Sequence, residues 1–152
     1  MQSSECAATV KWDAMTENVS AQPPVHCVLV ADDDPDMCEE VARALRDHNI
    51  AVITVASGEQ LIDYVGRCAT FGGRFLVPDV VVSDIRMPGY SGLDVLEAFR
   101  QARWATPVIL MTAFGDPTIH DEAKRLGAVA TFNKPFDADD LLTAILWACS
   151  LT

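Results

Sequence analysis

The chain predicts an α/β fold, a three-layer sandwich around a parallel sheet, and three observations carry that prediction. Short apolar runs alternate with helical patterns from Val25 onward, in five successive βα units. Three of the runs, Cys27-Val28-Leu29-Val30-Ala31, Val80-Val81-Val82-Ser83 and Val108-Ile109-Leu110-Met111, lead straight into the reactive side chains Asp32, Asp84 and Thr112. Crossovers between parallel strands are right-handed, which puts helices on both faces and makes the sheet doubly wound.

The elements follow in order. Residues 1–24 mix Ser, Thr, Gln and Asn with Ala, hold no period and close on Pro23-Pro24, so they read as a flexible leader to a domain spanning 25–152. A docking peptide around Trp12 is the alternative reading of that leader. After the first strand, Asp34 is a good N-cap with Pro35 at the first helical position. Cys38, Val41, Ala42 and Leu45 then mark one face of a helix reaching about His48.

Ala51 to Ala56 is the second strand. Ser57-Gly58-Glu59-Gln60 is a capping box for a helix that buries Leu61, Ile62, Val65 and Cys68 and is broken by Phe71-Gly72-Gly73. Past Asp84, Pro88-Gly89 and Ser91-Gly92 form a loop, and Leu93, Leu96 and Phe99 carry the third helix. Asp116-Pro117 starts the fourth helix and Gly127 ends it. Val129 to Phe132 is the last strand, leading to Asn133-Lys134-Pro135. Asp137 caps a fifth helix carrying Leu141, Leu142, Ile145 and Leu146 and finishing near Ser150.

Composition narrows the class. A length of 152 residues with 50% apolar content suits one folded domain with a real core. No apolar stretch approaches the ~18 residues of a membrane span, and the N-terminus lacks the order of a secretion signal, so the cytoplasm is the default. A formal charge of −11 argues against direct nucleic-acid binding, which needs cations against phosphate. Five scattered cysteines, Cys6, Cys27, Cys38, Cys68 and Cys149, lack zinc-site spacing and read as reduced thiols.

In open α/β sheets ligands bind beyond the carboxyl ends of the strands. Asp32, Asp33, Asp34, Asp84, Thr112 and Lys134 all fall at that rim, and the Asp84 carboxylate is expected to stand exposed there. Carboxylates gathered in one place repel by ~4 kcal/mol per pair at 4 Å and an effective dielectric of 20. Mg²⁺, bound through a few protein oxygens and completed by water and phosphate oxygens, would offset that. Taken alone, Asp32-Asp33-Asp34 fits a helix N-terminal acidic cluster equally well, with Asp34 as the cap. Lys134 and Thr112 in isolation read as a surface lysine and a strand-end threonine. With phosphate in view, an ammonium and a hydroxyl have phosphoryl oxygens to bind, and an aspartate is a competent nucleophile toward phosphorus.

Four segments in order, Val28-Leu29-Val30-Ala31-Asp32-Asp33-Asp34-Pro35, Ser83-Asp84-Ile85-Arg86-Met87-Pro88-Gly89, Ile109-Leu110-Met111-Thr112-Ala113 and Asn133-Lys134-Pro135-Phe136, resemble a response-regulator receiver domain of two-component signalling. The likeness covers roughly residues 26 to 150. It implies the flavodoxin-like strand order 2-1-3-4-5 and a cis bond at Lys134-Pro135. It also implies Asp84 as phosphoacceptor, with Thr112 as switch hydroxyl and Lys134 pairing the phosphate. Asp33 would be a direct Mg²⁺ ligand, Asp32 its orienting acid, and Arg86 the donor of a backbone carbonyl. A sensor histidine kinase or phosphotransfer protein would supply the phosphoryl group. A downstream effector protein or domain would read the face of helix four, strand five and helix five. Such a chain is a phosphoacceptor that assists its own phosphorylation and dephosphorylation, not an enzyme with turnover.

One position departs from the family. Where an aromatic usually stands three residues before the lysine, this chain has Thr131, and its neighbour Phe132 is expected in the core because strand neighbours face opposite sides. A weaker or differently built switch is the expectation. Phe114 and Arg86 are expected to flank the site with bulk and limit attacking water, beside the small Ala113. The chain ends shortly after helix five, which leaves open a stand-alone receiver or a piece of a transcriptional regulator or hybrid kinase. A docking module that needs no phosphorylation is a further alternative. A haloacid-dehalogenase-type phosphatase would share the Asp-x-Asp spacing but lacks a later acidic motif. A flavodoxin-like flavin carrier would need a Ser/Thr/Gly-rich phosphate loop after strand one.

Overall fold

A computed structural model describes residues 9–10, 24, 26–113 and 116–151. The described strands are β1 (Thr9–Val10), β2 (Cys27–Ala31), β3 (Ala51–Val55), β4 (Val80–Asp84), β5 (Val108–Thr112) and β6 (Ala130–Asn133). The helices are α1 (Pro35–Arg46), α2 (Gly58–Phe71), α3 (Gly92–Gln101), α4 (Pro117–Arg125) and α5 (Ala138–Cys149), with a short 3₁₀ turn at Gly72–Arg74.

The sheet runs β1-β3-β2-β4-β5-β6. Its five strands β2 to β6 are all parallel, in the order 2-1-3-4-5 when counted from β2. The two residues of β1 pair antiparallel with the β3 edge, Thr9 opposite Thr54 and Val10 opposite Ile53. Apart from these two residues and Pro24, the expected leader lies outside the described residues.

Strand alternation splits the core in two. Leu29, Ile53, Val81 and Leu110 face one side with Leu61, Leu96 and Phe99 from α2 and α3. Val28, Val30, Ile109 and Met111 face the other with Val41, Leu45, Leu141 and Ile145 from α1 and α5. A fully buried aliphatic side chain is worth about 1.5–3 kcal/mol, whereas exposed pairs such as Arg67–Asp63 on α2 are worth about 1 kcal/mol or less. The two apolar layers therefore hold the fold.

Helix ends follow their local chemistry. Asp34 accepts from the N–H groups of Asp36 and Met37 and serves as the cap of α1. Ser57 accepts from Gln60 N–H, but the Gln60 side chain returns to Ala56 N–H, one residue earlier than a simple capping box requires. Ser91, expected in the loop, caps α3 in a complete box with Asp94. Asp116 and Asp137 cap α4 and α5 as expected. Gly127 takes a φ of +98° just after α4, a conformation that favours glycine.

Several boundaries and faces differ from expectation. Helix α1 stops at Arg46, with Asp47 as its C-cap, short of His48. Strand β3 ends at Val55, and β6 is shifted one residue, to Ala130–Asn133. Leu146, expected in the core, is 45% exposed beside Trp147. The buried stripe of α5 runs Leu141, Ile145, Ala148 and Cys149, so Leu146 falls on the outer side. Tyr64 joins the core of α2 instead, its hydroxyl donating to the Leu76 carbonyl. Cys27, Cys38, Cys68 and Cys149 are free and buried; Cys6 lies outside the described residues.

Candidate acidic site at the carboxyl rim of the sheet

The parallel register brings the ends of β2, β4, β5 and β6 side by side. Ala31 pairs with Ser83, Asp84 with Met111, and Thr112 with Asn133, so the residues just beyond these pairs share one rim. One carboxylate oxygen from each of Asp32, Asp33 and Asp84 lies within 4.8 Å of the others. Asp33 is exposed, whereas Asp32 and Asp84 are buried at 1% and 6%.

Asp32 is held on both sides. Its Oδ1 accepts from Asp34 N–H at 3.0 Å and its Oδ2 from Lys134 Nζ at 2.8 Å. Its backbone continues the parallel ladder by donating to the Val55 carbonyl, and the Cys38 thiol donates to its own carbonyl at 3.3 Å. Lys134 reaches Asp84 Oδ1 as well, at 3.4 Å. It is delivered by β6, where its N–H donates to the Thr112 carbonyl at 2.8 Å, and the Lys134–Pro135 bond is cis, as the resemblance implies.

The expectation that Asp84 stands exposed is corrected: only 8% of its side chain reaches solvent. Ile85 and Met87, apolar and buried, draw the following turn inward, and the Lys134 ammonium lies over the carboxylate. The distance expectation is met, since Asp84 lies within a cation's reach of Asp32 and Asp33. Burial pushes the Asp84 carboxyl above its ordinary value, the Asp32 charge adds to that, and Lys134 opposes it. Burial also disfavours the Lys134 ammonium, but its pairing with Asp32 and Asp84 outweighs this and raises its pKa overall.

The Lys134 ammonium pairs with Asp32 and Asp84, and the three clustered carboxylates carry more negative charge than this one ammonium offsets. Hard oxygen donors of that charge suit Mg²⁺ or Ca²⁺, and exposed Asp33 offers an entry side. The donor set thus fits the divalent cation expected from the sequence. Thr112 is fully buried at the end of β5, Arg86 lies exposed on the turn after Asp84, and Ala113 is exposed. Phe114, expected to flank the site, lies outside the described residues. Phe132, expected in the core, is only half-buried: it packs on the α1–α5 side of the sheet, the side its strand parity predicts, and its ring meets that of Phe136.

Two supports escaped the sequence. Cys38 looked like an ordinary core position of α1, yet it braces the Asp32 carbonyl. Gly92 looked like a loop residue, yet a Cβ there would lie 2.5 Å from the Asp84 carbonyl oxygen. Its N–H donates to the Ile85 carbonyl, so α3 begins in direct contact with the Asp84 backbone. The Ser91-Gly92 pair was the visible signal.

The fold agrees with the comparisons. The response regulator receiver domain family matches residues 28–146, and the chain belongs to that family. It is 36% identical over 118 residues to the C4-dicarboxylate transport transcriptional regulatory protein DctD of Pseudomonas aeruginosa, covering 78% of this chain and 24% of that one. To the acid tolerance regulatory protein ActR of Rhizobium meliloti it is 33% identical over 123 residues, covering 81% and 59%. The chain therefore spans only part of these curated relatives. A response regulator receiver domain protein from Clostridium thermocellum superposes with a TM-score of 0.72 at 29% identity, covering 84% of this chain and 96% of that one. The BeF3-activated DrrB receiver domain superposes at 0.69 with 26% identity, covering 82% and 97%. Among the described residues no helix is long and apolar enough to cross a membrane.

Proposed function

We propose that the chain is the phosphoacceptor of a two-component phosphorelay in the cytoplasm, taking a phosphoryl group on Asp84 from the phosphohistidine of a sensor kinase or phosphotransfer protein. The observation that carries this reading is the meeting of Asp32, Asp33 and Asp84 within 4.8 Å, with Lys134 Nζ 3.4 Å from Asp84. An Asp84 carboxylate oxygen attacks phosphorus, the new P–O bond forms as the P–N bond breaks, and the imidazole leaves. Lys134 then donates to one phosphoryl oxygen and the Thr112 hydroxyl to another. Asp33, Asp32, Asp84 and the Arg86 backbone carbonyl are the groups that would hold Mg²⁺. When bound, that ion would neutralise charge on the phosphoryl oxygens and between the carboxylates.

Return to the starting state is hydrolysis: water attacks phosphorus, releasing inorganic phosphate and regenerating the Asp84 carboxylate. The chain assists both reactions on itself and is not an enzyme acting on a separate substrate. The modified state would alter interactions of the α4–β6–α5 face with an effector protein or domain. The relative DctD, named as a transcriptional regulatory protein, supports control of transcription as the output of a larger regulator.

Incubation with acetyl phosphate and Mg²⁺, read by intact mass, tests the reading. The wild type gains one phosphoryl group, the gain disappears with EDTA, and Asp84→Asn gains none. A phosphoryl group appearing equally on Asp84→Asn would assign the chemistry elsewhere.

A further inference from the structure

Helix α4 is the most lightly anchored of the five. It buries one side chain fully, Ala123, with Ile119 and the C-cap residue Leu126 only partly covered. Each of the other helices buries four or five residues. An element with few buried apolar contacts shifts at low free-energy cost. A side-chain hydrogen bond ties α4 to the strands of the acidic site: His120 Nε2–H donates to Asn133 Oδ1 at 2.9 Å.

The far end of that bond is well placed. Asn133 lies opposite Thr112 in the parallel register and immediately precedes Lys134. Lys134 in turn donates its N–H to the Thr112 carbonyl and reaches Asp32 and Asp84 with its ammonium. The path from Asp84 to α4 therefore runs through Lys134 and Asn133 to His120.

We propose that the His120–Asn133 hydrogen bond is the link by which a change at Asp84 is passed to α4. The inference rests on Asp84 being the phosphoryl acceptor. In the present state Lys134 is drawn 2.8 Å from Asp32. When Lys134 turns toward a phosphoryl group on Asp84, the strand end at 133–134 adjusts with it, and His120 carries that adjustment to a helix that few buried side chains hold in place. His120 is a positioning residue here, acting through Asn133. Coupling of this kind needs a mobile element that the site can bias, and α4 is that element.

Backbone amide exchange of the whole chain, with and without beryllofluoride and Mg²⁺, tests the link, beryllofluoride standing in for the phosphoryl group. In the wild type, amides at the ends of β5 and β6 and along α4 both respond. In His120→Ala the strand-end response persists and the α4 response is lost. Asn133→Ala does the same, and the double variant loses no more than either single one. His120→Gln, which keeps a side-chain donor, restores part of the α4 response. His120 is half-buried and Asn133 exposed, so these variants leave the two core layers intact. An α4 response of equal size in wild type and His120→Ala would overturn the link while leaving Asp84 as acceptor. Absence of any strand-end response in the wild type would overturn the Asp84 reading and this inference with it.

Discussion

Lys134 Nζ sits 2.8 Å from Asp32 Oδ2 and 3.4 Å from Asp84 Oδ1, so the ammonium is held more closely by Asp32 than by the proposed acceptor. The Asp32 carboxylate is fully buried and takes its second hydrogen bond from Asp34 N–H. Lysine therefore has two tasks in one position: it neutralises Asp32 now and remains within reach of a group added to Asp84.

Removing that cation should be costly. Breaking a buried pair from one side costs roughly 3–5 kcal/mol, and Lys134 is 16% exposed, so Lys134→Ala is expected at or below the lower end, about 2–3 kcal/mol. Urea unfolding measures it. Added Mg²⁺ should recover part of the loss, because it supplies positive charge to the same carboxylates; equal recovery with Na⁺ at matched ionic strength would argue against a specific site.

Lys134 also sets an alkaline limit. Its pKa is raised in the folded state, so the contribution of the pair is fully present below the ordinary value of 10.5 and is lost as pH rises through the higher folded value. The melting temperature of the wild type should fall faster with pH in that range than that of Lys134→Ala. Parallel curves would contradict this assignment.

Asp84 behaves in the opposite sense. Its folded pKa lies above the ordinary 3.8, chiefly through burial, so the folded state binds this proton more tightly than the unfolded chain. Ionised Asp84 then costs stability, and the cost appears as pH rises from 3.8 through the folded value and persists at neutral pH. Asp84→Asn should melt above the wild type near neutrality in metal-free buffer, with the gap closing in acid. A variant less stable than wild type under those conditions would show that the carboxylate is a net stabilising group.

Gly92→Ala should disturb both fold and site. The new Cβ would lie 2.5 Å from the Asp84 carbonyl oxygen and 3.0 Å from the Ile85 Cα, atoms that cannot swing aside as a side chain can. Overpacking of this sort costs about 1–3 kcal/mol. Phosphorylation by acetyl phosphate should slow in the same variant. An unchanged rate would place the start of α3 outside the control of Asp84.

The buried thiols should be inert. Burial pushes Cys27 up to about 12, and Cys38 and Cys149 up to about 11, so little thiolate forms near neutral pH. Ellman's reagent at pH 8 should react slowly at these positions in the folded protein and rapidly in denaturant. Fast labelling of Cys38 in the native state would reveal an opening beside Asp32.

Local pattern alone determined where each of the parallel strands and helices falls to within a residue or two, because apolar runs and caps are written in adjacent residues. Asp34-Pro35, Asp116-Pro117 and Asp137 each announced a helix from within its own segment. The order of motifs at the strand ends likewise marked Asp32, Asp33, Asp84, Thr112 and Lys134 as one rim. What the chain folded into decided the rest: Asp84 covered by its own turn and by Lys134, Leu146 turned outward, β1 laid on the β3 edge, and His120 meeting Asn133. Asp32 and Lys134 are 102 residues apart in sequence. Which of two acids a lysine approaches depends on ångström differences between segments that meet only after packing, and no periodicity in a single segment encodes that.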